Sequence, residues 1–306
     1  MLSFLVEDLL LTIPKWLKSN SVYPRGRAAI FSLVGSPRFY NPVSAVRFCF
    51  PEDREEEEFK SLFTSIYLIR KEDGLAIWHT PLGELATMGT EIVEHIAFLL
   101  VEFLKDVYLS GTVRVLPGAT VLDVGANIGV FAKKAVSAGA QRVICVEPTP
   151  GNVCALRWNL AAEIDRVSIV PLGAWDAVDT IRFMVDPKRP GRSSCVEAPA
   201  DMESYEISIE VAPLDLIVKN LKLSRVDFIK MDIEGAELKA LQGARETIVR
   251  HKPHLAIAVE HTADRLRNAR QVRDLVLSIN SEYRCAPGPY RFTDERRLAP
   301  EVLYFD

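Results

Sequence analysis

The chain has 306 residues, of which 48% are hydrophobic and 25% are charged, and its formal net charge is −4. This balance is typical of a globular protein and excludes a disordered chain, and the length suits one large domain or two modest ones. Because the net charge is negative, there is no overall electrostatic attraction to nucleic acid.

The first segment, Met1 to Leu17, is apolar but contains Glu7 and Asp8. It has no basic start and no small-residue cleavage site, so we predict a short amphipathic helix rather than a signal peptide. This helix is predicted to dock on the protein itself, and docking on a membrane or a partner is the less favoured alternative. No run of about 18 uncharged apolar residues occurs, so no membrane span is predicted. The five cysteines form no Cys-x-x-Cys pair. We interpret Cys145 and Cys154 as buried, reduced thiols in a cytoplasmic protein.

Residues 1–88 differ from the rest of the chain, because Pro and Gly interrupt short apolar runs. Two of these runs, Ser65 to Arg70 and Leu75 to His79, flank Asp73-Gly74, a dipeptide typical of hairpin turns. We therefore predict an N-terminal accessory segment of mixed short elements over residues 1–88, followed by a single domain over residues 89–306.

From Thr90 onward the pattern becomes helical, and then strand-like apolar runs alternate with helical ones. The predicted strands are Thr120 to Val124, Arg142 to Val146, Val167 to Val170, Val226 to Met231, His254 to Glu260 and an antiparallel Val302 to Phe305. The predicted helices are Val130 to Ser137, Asn152 to Glu163, Glu237 to Arg250 and Asp264 to Ile279. This alternation predicts an α/β fold with a mostly parallel, doubly wound, Rossmann-like sheet. Thr180 to Val185 and Tyr205 to Val211 are predicted as a strand pair inserted at the sheet rim.

The first predicted strand ends at a glycine-rich turn, Asp123-Val-Gly-Ala-Asn-Ile-Gly129. Gly125 can adopt backbone angles that are closed to other residues, and Gly129 lets the helix begin close to the strand. The turn lacks the middle glycine of the dinucleotide fingerprint. Asp123 adds negative charge there, which suits the ammonium and sulfonium groups of S-adenosylmethionine better than a pyrophosphate. A tight turn without any ligand is the alternative.

The second strand ends at Glu147, about 20 residues after the turn, where a carboxylate can accept hydrogen bonds from ribose hydroxyls. The alternative for Glu147 is a surface carboxylate. After the third strand, Gly173 and Ala174 are small enough to leave room for a flat adenine ring.

These motifs together resemble the FkbM family of S-adenosylmethionine-dependent methyltransferases. The resemblance rests on the glycine turn, Glu147-Pro148, the block Lys230-Met-Asp-Ile-Glu-Gly-Ala-Glu237 and Glu260-His261. It covers roughly residues 91–284 and implies the class I methyltransferase fold. It also implies that the turn (Asp123, Gly125, Ala126, Asn127, Gly129) holds the methionine end of the cofactor, and that Glu147 with Pro148 holds the ribose.

The fourth and fifth strands bring further polar residues to the same sheet edge, namely Asp232, Glu234, Glu260 and His261. Asp232 can face both cofactor and acceptor, and Glu234 lies beside it. His261 is the candidate general base because its pKa lies near working pH; the alternative is a polar residue that only shapes the pocket. The four side chains could also bind a divalent cation, but the motifs require none, and we predict no metal.

The function we predict is O-methylation of a hydroxyl on a small-molecule, sugar or lipid-like acceptor. The oxygen preference rests on the resemblance. A nicotinamide-dependent oxidoreductase and a non-catalytic nucleoside-binding module are the alternatives. Nucleic acid is disfavoured as a partner, because no basic run with interleaved aromatic residues occurs. The loop Arg189 to Ser194 is either a mobile lid over the pocket or an ordinary solvated loop.

Overall fold

The computed structural model describes residues 61–89, 93–185, 205–262, 264–292 and 298–306. The predictions for the segment at residues 1–17 and for the loop at residues 189–194 lie outside these ranges. Within them, no helix has both the length and the apolar character that a membrane crossing needs.

The N-terminal part forms a three-stranded antiparallel sheet of β1 (Tyr67–Glu72), β2 (Leu75–Thr80) and β3 (Gly83–Met88). The hairpin predicted around Asp73-Gly74 is confirmed, whereas β3 was not predicted. Helix α1 (Val93–Leu104) follows, and its apolar side shares a core with β2, β3 and the helices of the main sheet. The division of the chain at residue 88 stays a prediction.

The remaining strands complete the fold in chain order. They are β4 (Thr120–Val124), β5 (Arg142–Val146), β6 (Val167–Val170), β7 (Gly173–Ala174), β8 (Asp179–Val185), β9 (Tyr205–Ala212), β10 (Phe228–Met231), β11 (His254–Ala258), β12 (Cys285–Pro287), β13 (Tyr290–Phe292), β14 (Leu298–Pro300) and β15 (Val302–Phe305). Seven of them form the central sheet in the order β12-β15-β11-β10-β4-β5-β6. The strands from β11 to β6 are parallel, and β15 is antiparallel to both of its neighbours. The predicted doubly wound, mostly parallel sheet with an antiparallel last strand is confirmed.

Helices cover both faces of this sheet. They are α2 (Val130–Ser137), α3 (Pro150–Asn159), α4 (Leu214–Asn220), α5 (Glu237–Gln242), α6 (Arg245–His251) and α7 (Arg265–Ile279). One core contains Leu122 and Val124 of β4 with residues of α4 to α7, and the other contains Val121 with residues of α2 and α3. Alternate residues of each strand thus enter different cores, which explains why the strands are continuously apolar.

Some of the predicted bounds are wrong, and each has a local reason. The single helix predicted from Glu237 to Arg250 is two helices, because Gly243 lies against the backbone of Trp175, where a Cβ would be 1.9 Å from the carbonyl oxygen. The helix predicted to reach Glu163 ends at Asn159 and continues as a short 3₁₀ turn. Cys154 is exposed on α3, so its predicted burial is wrong, whereas Cys145 is buried as predicted.

The inserted strand pair is also confirmed, since β8 and β9 are antiparallel over their whole length. The short strand β7 joins β9 in a parallel arrangement. These three strands form a small sheet of their own beside the central one.

Candidate functional site

The glycine turn joins β4 to α2 at the carboxyl edge of the central sheet. Gly125, Asn127 and Gly129 all have positive φ angles, of 76°, 49° and 91°. A Cβ on Gly125 would lie 1.8 Å from the carbonyl oxygen of Asp232, and one on Gly129 would lie 2.6 Å from Leu156. Gly125 is therefore required both by its backbone conformation and by a contact with backbone, whereas Gly129 is required mainly by its conformation, because the atom that a Cβ would meet is the end of a leucine side chain.

Glu147 lies directly beneath this turn and is 5% exposed, so the alternative of a surface carboxylate is wrong. Its carboxylate accepts hydrogen bonds from the backbone N–H of Asn127 at 2.9 Å and of Thr149 at 3.0 Å, and from the Asn152 side-chain amide at 3.3 Å. Burial raises the pKa of Glu147, and these three donors act against the rise. The carboxylate consequently ties the end of β5 to the glycine turn.

Asp123 is fully buried at the end of β4, and neither of its carboxylate oxygens has a hydrogen-bond partner. Burial raises its pKa to about 6, with the nearby Lys230 ammonium acting in the opposite direction. The side-chain oxygen of Asn127 is also buried without a partner. Buried acceptors without a hydrogen bond cost free energy, and the side chains of Asp123 and Asn127 both provide such acceptors beside the glycine turn.

Lys230 is a site residue whose role the sequence reasoning missed. Its ammonium is buried, donates to the carbonyl oxygen of Gly125 at 2.7 Å and lies 3.4 Å from Asp123 and 3.7 Å from Asp232. The sequence contained a signal, because a lysine interrupts the otherwise apolar run of β10. The ammonium places a positive charge between the glycine turn and Asp232, the next acidic group along the edge.

Asp232, Glu234 and His261 meet at this same edge. The imidazole Nε2 lies 2.8 Å from a carboxylate oxygen of Asp232, and Nδ1 lies 3.0 Å from one of Glu234. The flanking carboxylates raise the pKa of His261 well above its usual value, although burial acts to lower it. The pKa of Asp232 is lowered, against the effect of its own burial, by Lys230 and His261.

Two residues from the segment before β4 complete this cluster. Tyr108 is buried, and its hydroxyl donates to the second oxygen of Asp232 at 2.8 Å. Glu102 of α1 interacts electrostatically with Asp232, and burial raises its pKa to about 8. No motif marked either residue, because each is brought to the site only by the packing of α1 and the loop after it.

The side chains of Asp232, Glu234 and His261 each offer a ligand atom for a metal ion, and these atoms all lie within 4.8 Å of one another. The two nitrogens of His261 face different carboxylates, so an ion bound to Nε2 would share Asp232, and Glu234 would orient the ring from the other side. Glu260, the fourth predicted member, lies 3.8 Å from Arg265 instead.

Gly173 and Ala174 are not at an open surface, because both pair with β9. A Cβ on Gly173 would lie 2.9 Å from Val211. The small size of this glycine thus serves strand packing, and its predicted contact with an adenine stays a prediction.

Comparison with known proteins places this site in a family. The model of the methyltransferase FkbM domain matches residues 123–284, which is more than half of the chain and contains the glycine turn, Glu147 and the Asp232–His261 cluster. Among similar curated proteins, the 2-O-methyltransferase NoeI of Sinorhizobium fredii is 26% identical over 148 residues, 44% of this chain and 60% of that protein. Methyltransferase 1 of Beauveria bassiana is 28% identical over 174 residues, 48% of this chain and 68% of that protein.

Among solved structures, the methyltransferase FkbM of Methylobacillus flagellatus is similar, with 24% identity and a TM-score of 0.47. That match covers 83% of this chain and 59% of the other. The matches thus span less than two thirds of the length of both NoeI and this solved structure. With the family model covering both the glycine turn and the acidic cluster, the chain belongs to the FkbM methyltransferase family.

Proposed function

We propose that this protein transfers a methyl group from S-adenosylmethionine to a hydroxyl oxygen of a small-molecule, sugar or lipid-like acceptor. The observation that carries the proposal is that two buried acceptors beside the glycine turn have no hydrogen bond: the side-chain oxygen of Asn127, and the carboxylate of Asp123, which has only the Lys230 ammonium at 3.4 Å. A cationic amino acid group supplies the donors that these oxygens lack. When bound, the cofactor supplies a methyl carbon activated by a sulfonium.

In this proposal the turn residues Asp123, Gly125, Ala126, Asn127 and Gly129 hold the methionine end. Glu147 and Pro148 hold the ribose, and the small residues Gly173 and Ala174 leave room for the adenine ring. A carboxylate has about four lone-pair positions for hydrogen bonds, and Glu147 already uses three of them. One ribose hydroxyl can therefore bind Glu147 directly, and a second must displace one of the existing donors.

Asp232, Glu234 and His261 form the proposed catalytic set. For His261 to accept the proton of the acceptor hydroxyl, the neutral imidazole turns one nitrogen from its carboxylate to that hydroxyl, and the carboxylate that stays on the other nitrogen stabilises the imidazolium that results. Because the same carboxylates raise the pKa of His261, the neutral base becomes more abundant as the pH rises above neutral. We therefore expect the methyl transfer rate to increase with pH over that range.

The test of cofactor binding is calorimetric titration of the protein with S-adenosylmethionine. Glu147→Gln keeps the shape of the side chain and removes its charge, so we expect binding at least about tenfold weaker. Glu246→Gln, at an exposed position, is the matched control and should bind as the unchanged protein does. Absence of binding by the unchanged protein would contradict the proposal.

The test of the reaction is release of S-adenosylhomocysteine during a screen of hydroxyl-bearing acceptors, with products identified by mass spectrometry. His261→Gln should lower the rate by about a hundredfold or more and remove its increase with pH, because no side chain remains to accept the proton. If His261 only shapes the pocket, the variant keeps the pH profile and changes the Michaelis constant instead.

A further inference from the structure

A cavity lies at the amino edge of the central sheet, at the opposite edge from the candidate functional site. Its volume is about 490 Å³, and it is lined by the first residues of β4, β5 and β6 and by the loop before β10. Ligand pockets of this kind commonly have volumes of about 300–1,000 Å³, so the cavity has room for a small organic molecule.

The charge of this cavity differs from that of the protein as a whole. Four basic side chains line it, namely Arg142, Arg166, Lys222 and Arg225, against a single acidic one, Asp165. The whole chain, by contrast, has a net charge of −4. The lining thus has a local excess of positive charge on an acidic protein, which favours an anionic ligand.

The strand register brings two of these arginines side by side. Val143 of β5 is level with Val167 of β6, so Arg142 and Arg166, one position nearer the amino edge, are neighbours on strands that lie about 4.8 Å apart. Like charges placed directly opposite each other destabilise a sheet. In the part of the chain that the structure describes, neither arginine has an ion pair, whereas Arg225 is paired with Asp227.

The donors around the cavity fit a phosphate group. Guanidinium groups bind phosphate through paired N–H···O hydrogen bonds, and two adjacent ones can share the oxygens of a single phosphate. Lys222 adds a third cation, and the hydroxyl groups of Ser168 and Ser224 are further donors in the lining. We propose that this cavity binds a phosphorylated small molecule, with the phosphate held between Arg142 and Arg166 and the organic part filling the rest.

The experiment is calorimetric titration of the full chain with glucose 6-phosphate, and with glucose as the matched probe that lacks the phosphate. We expect the phosphorylated sugar alone to bind, with an affinity that falls as ionic strength rises from about 0.05 M to about 0.2 M. The double substitution Arg142→Gln and Arg166→Gln should weaken binding at least about tenfold, since it removes the charge-assisted hydrogen bonds. Arg250→Gln, an exposed arginine outside the cavity, should leave it unchanged.

A thermal melt of each variant checks that the fold is kept. Lys222→Gln, at an exposed loop position, is a second test if the double variant does not fold, with an expected weakening of about threefold. The proposal is overturned if the unchanged protein does not bind glucose 6-phosphate, if glucose binds equally well, or if the folded variants bind as the unchanged protein does.

Discussion

The carboxyl edge of the central sheet has acidic side chains that are buried and joined in a network, whereas the amino edge has basic side chains that are mostly exposed. Asp123, Glu147 and Asp232 contact fixed donors or cations within the protein. Arg142 and Arg166 at the other edge have no ion pair among the described residues. The parallel strands create this asymmetry, because all their carboxyl ends lie at one edge of the sheet and all their amino ends at the other.

This difference indicates that the side chains at the two edges contribute unequally to the stability of the fold. At the carboxyl edge, the acidic groups are part of a network of contacts within the fold, so we expect that changing one of them lowers the free energy of unfolding. At the amino edge, the basic groups are available to a ligand and can be changed at small cost to the fold.

The largest difference in unfolding free energy is expected when a glycine at each edge is replaced by alanine. Gly125→Ala places a Cβ against the backbone of Asp232, so we expect a loss of about 5 kcal/mol or more in the free energy of unfolding. Gly118→Ala, before β4 at the amino edge, has a similar φ angle of 81° with no atom within 4 Å, and should cost only about 1–2 kcal/mol. Urea denaturation measures both, and equal losses would show that the close approach at Gly125 is unimportant.

A second contrast compares one cation from each edge. Lys230→Met leaves Asp123 and Asp232 buried without their ammonium, which should cost about 3–5 kcal/mol of unfolding free energy. Arg142→Met removes no ion pair within the described chain, so we expect a change within about 0.5 kcal/mol. Urea denaturation measures the unfolding free energy of both variants, and a large decrease for Arg142→Met would contradict the comparison of the two edges.

A smaller effect is expected at the tyrosine that supports Asp232. Tyr108→Phe removes a hydrogen bond to a carboxylate and should cost about 1.5–3 kcal/mol, with a slower methyl transfer rate. Tyr283→Phe removes a buried hydrogen bond of similar length to the carbonyl oxygen of Pro253, far from the proposed site. It should lower stability without changing the rate, and if both variants kept the full rate, Tyr108 would have no role in positioning Asp232.

The last prediction concerns pH, and its expected effect for each pH unit is the smallest of the four. The pKa of Asp123 is raised from an ordinary value of 3.8 to about 6 in the folded protein, so the folded state keeps a proton that the unfolded state releases. The contribution of Asp123 to stability therefore falls as the pH rises through this interval, by up to about 1.4 kcal/mol per pH unit. The difference in unfolding free energy between the unchanged protein and Asp123→Asn measures it, and a constant difference would contradict the raised pKa.

Local pattern was sufficient to predict most of the central sheet. The observed bounds of β4, β5, β6, β15 and α2 are those expected from the apolar runs, because periodicity and flanking residues act within a few positions. The strand ends also predicted that Asp123, Glu147, Asp232 and His261 share one edge, since parallel strands bring their carboxyl ends together. That these residues bind cofactor and carry out catalysis stays a prediction.

The elements that were missed depend on contacts between distant parts of the chain. The break between α5 and α6 follows from the approach of Trp175 to Gly243, and no nearby residue signals it. Strand β3 is held partly by the side chain of Asn159, which bonds both the N–H and the carbonyl of Ala86. Such contacts form only after the chain has folded around them.

Short runs of residues were sufficient to predict most strands of the central sheet, the glycine turn and the resemblance to the family, because periodicity and motifs depend on near neighbours in the chain. Only the tertiary structure decided which charges meet: that Lys230 lies between two carboxylates, that Tyr108 reaches Asp232 across 124 positions, and that Arg142 and Arg166 are neighbours. The physical reason is that electrostatic interaction depends on separation in space and on burial, and neither can be obtained from spacing along the chain.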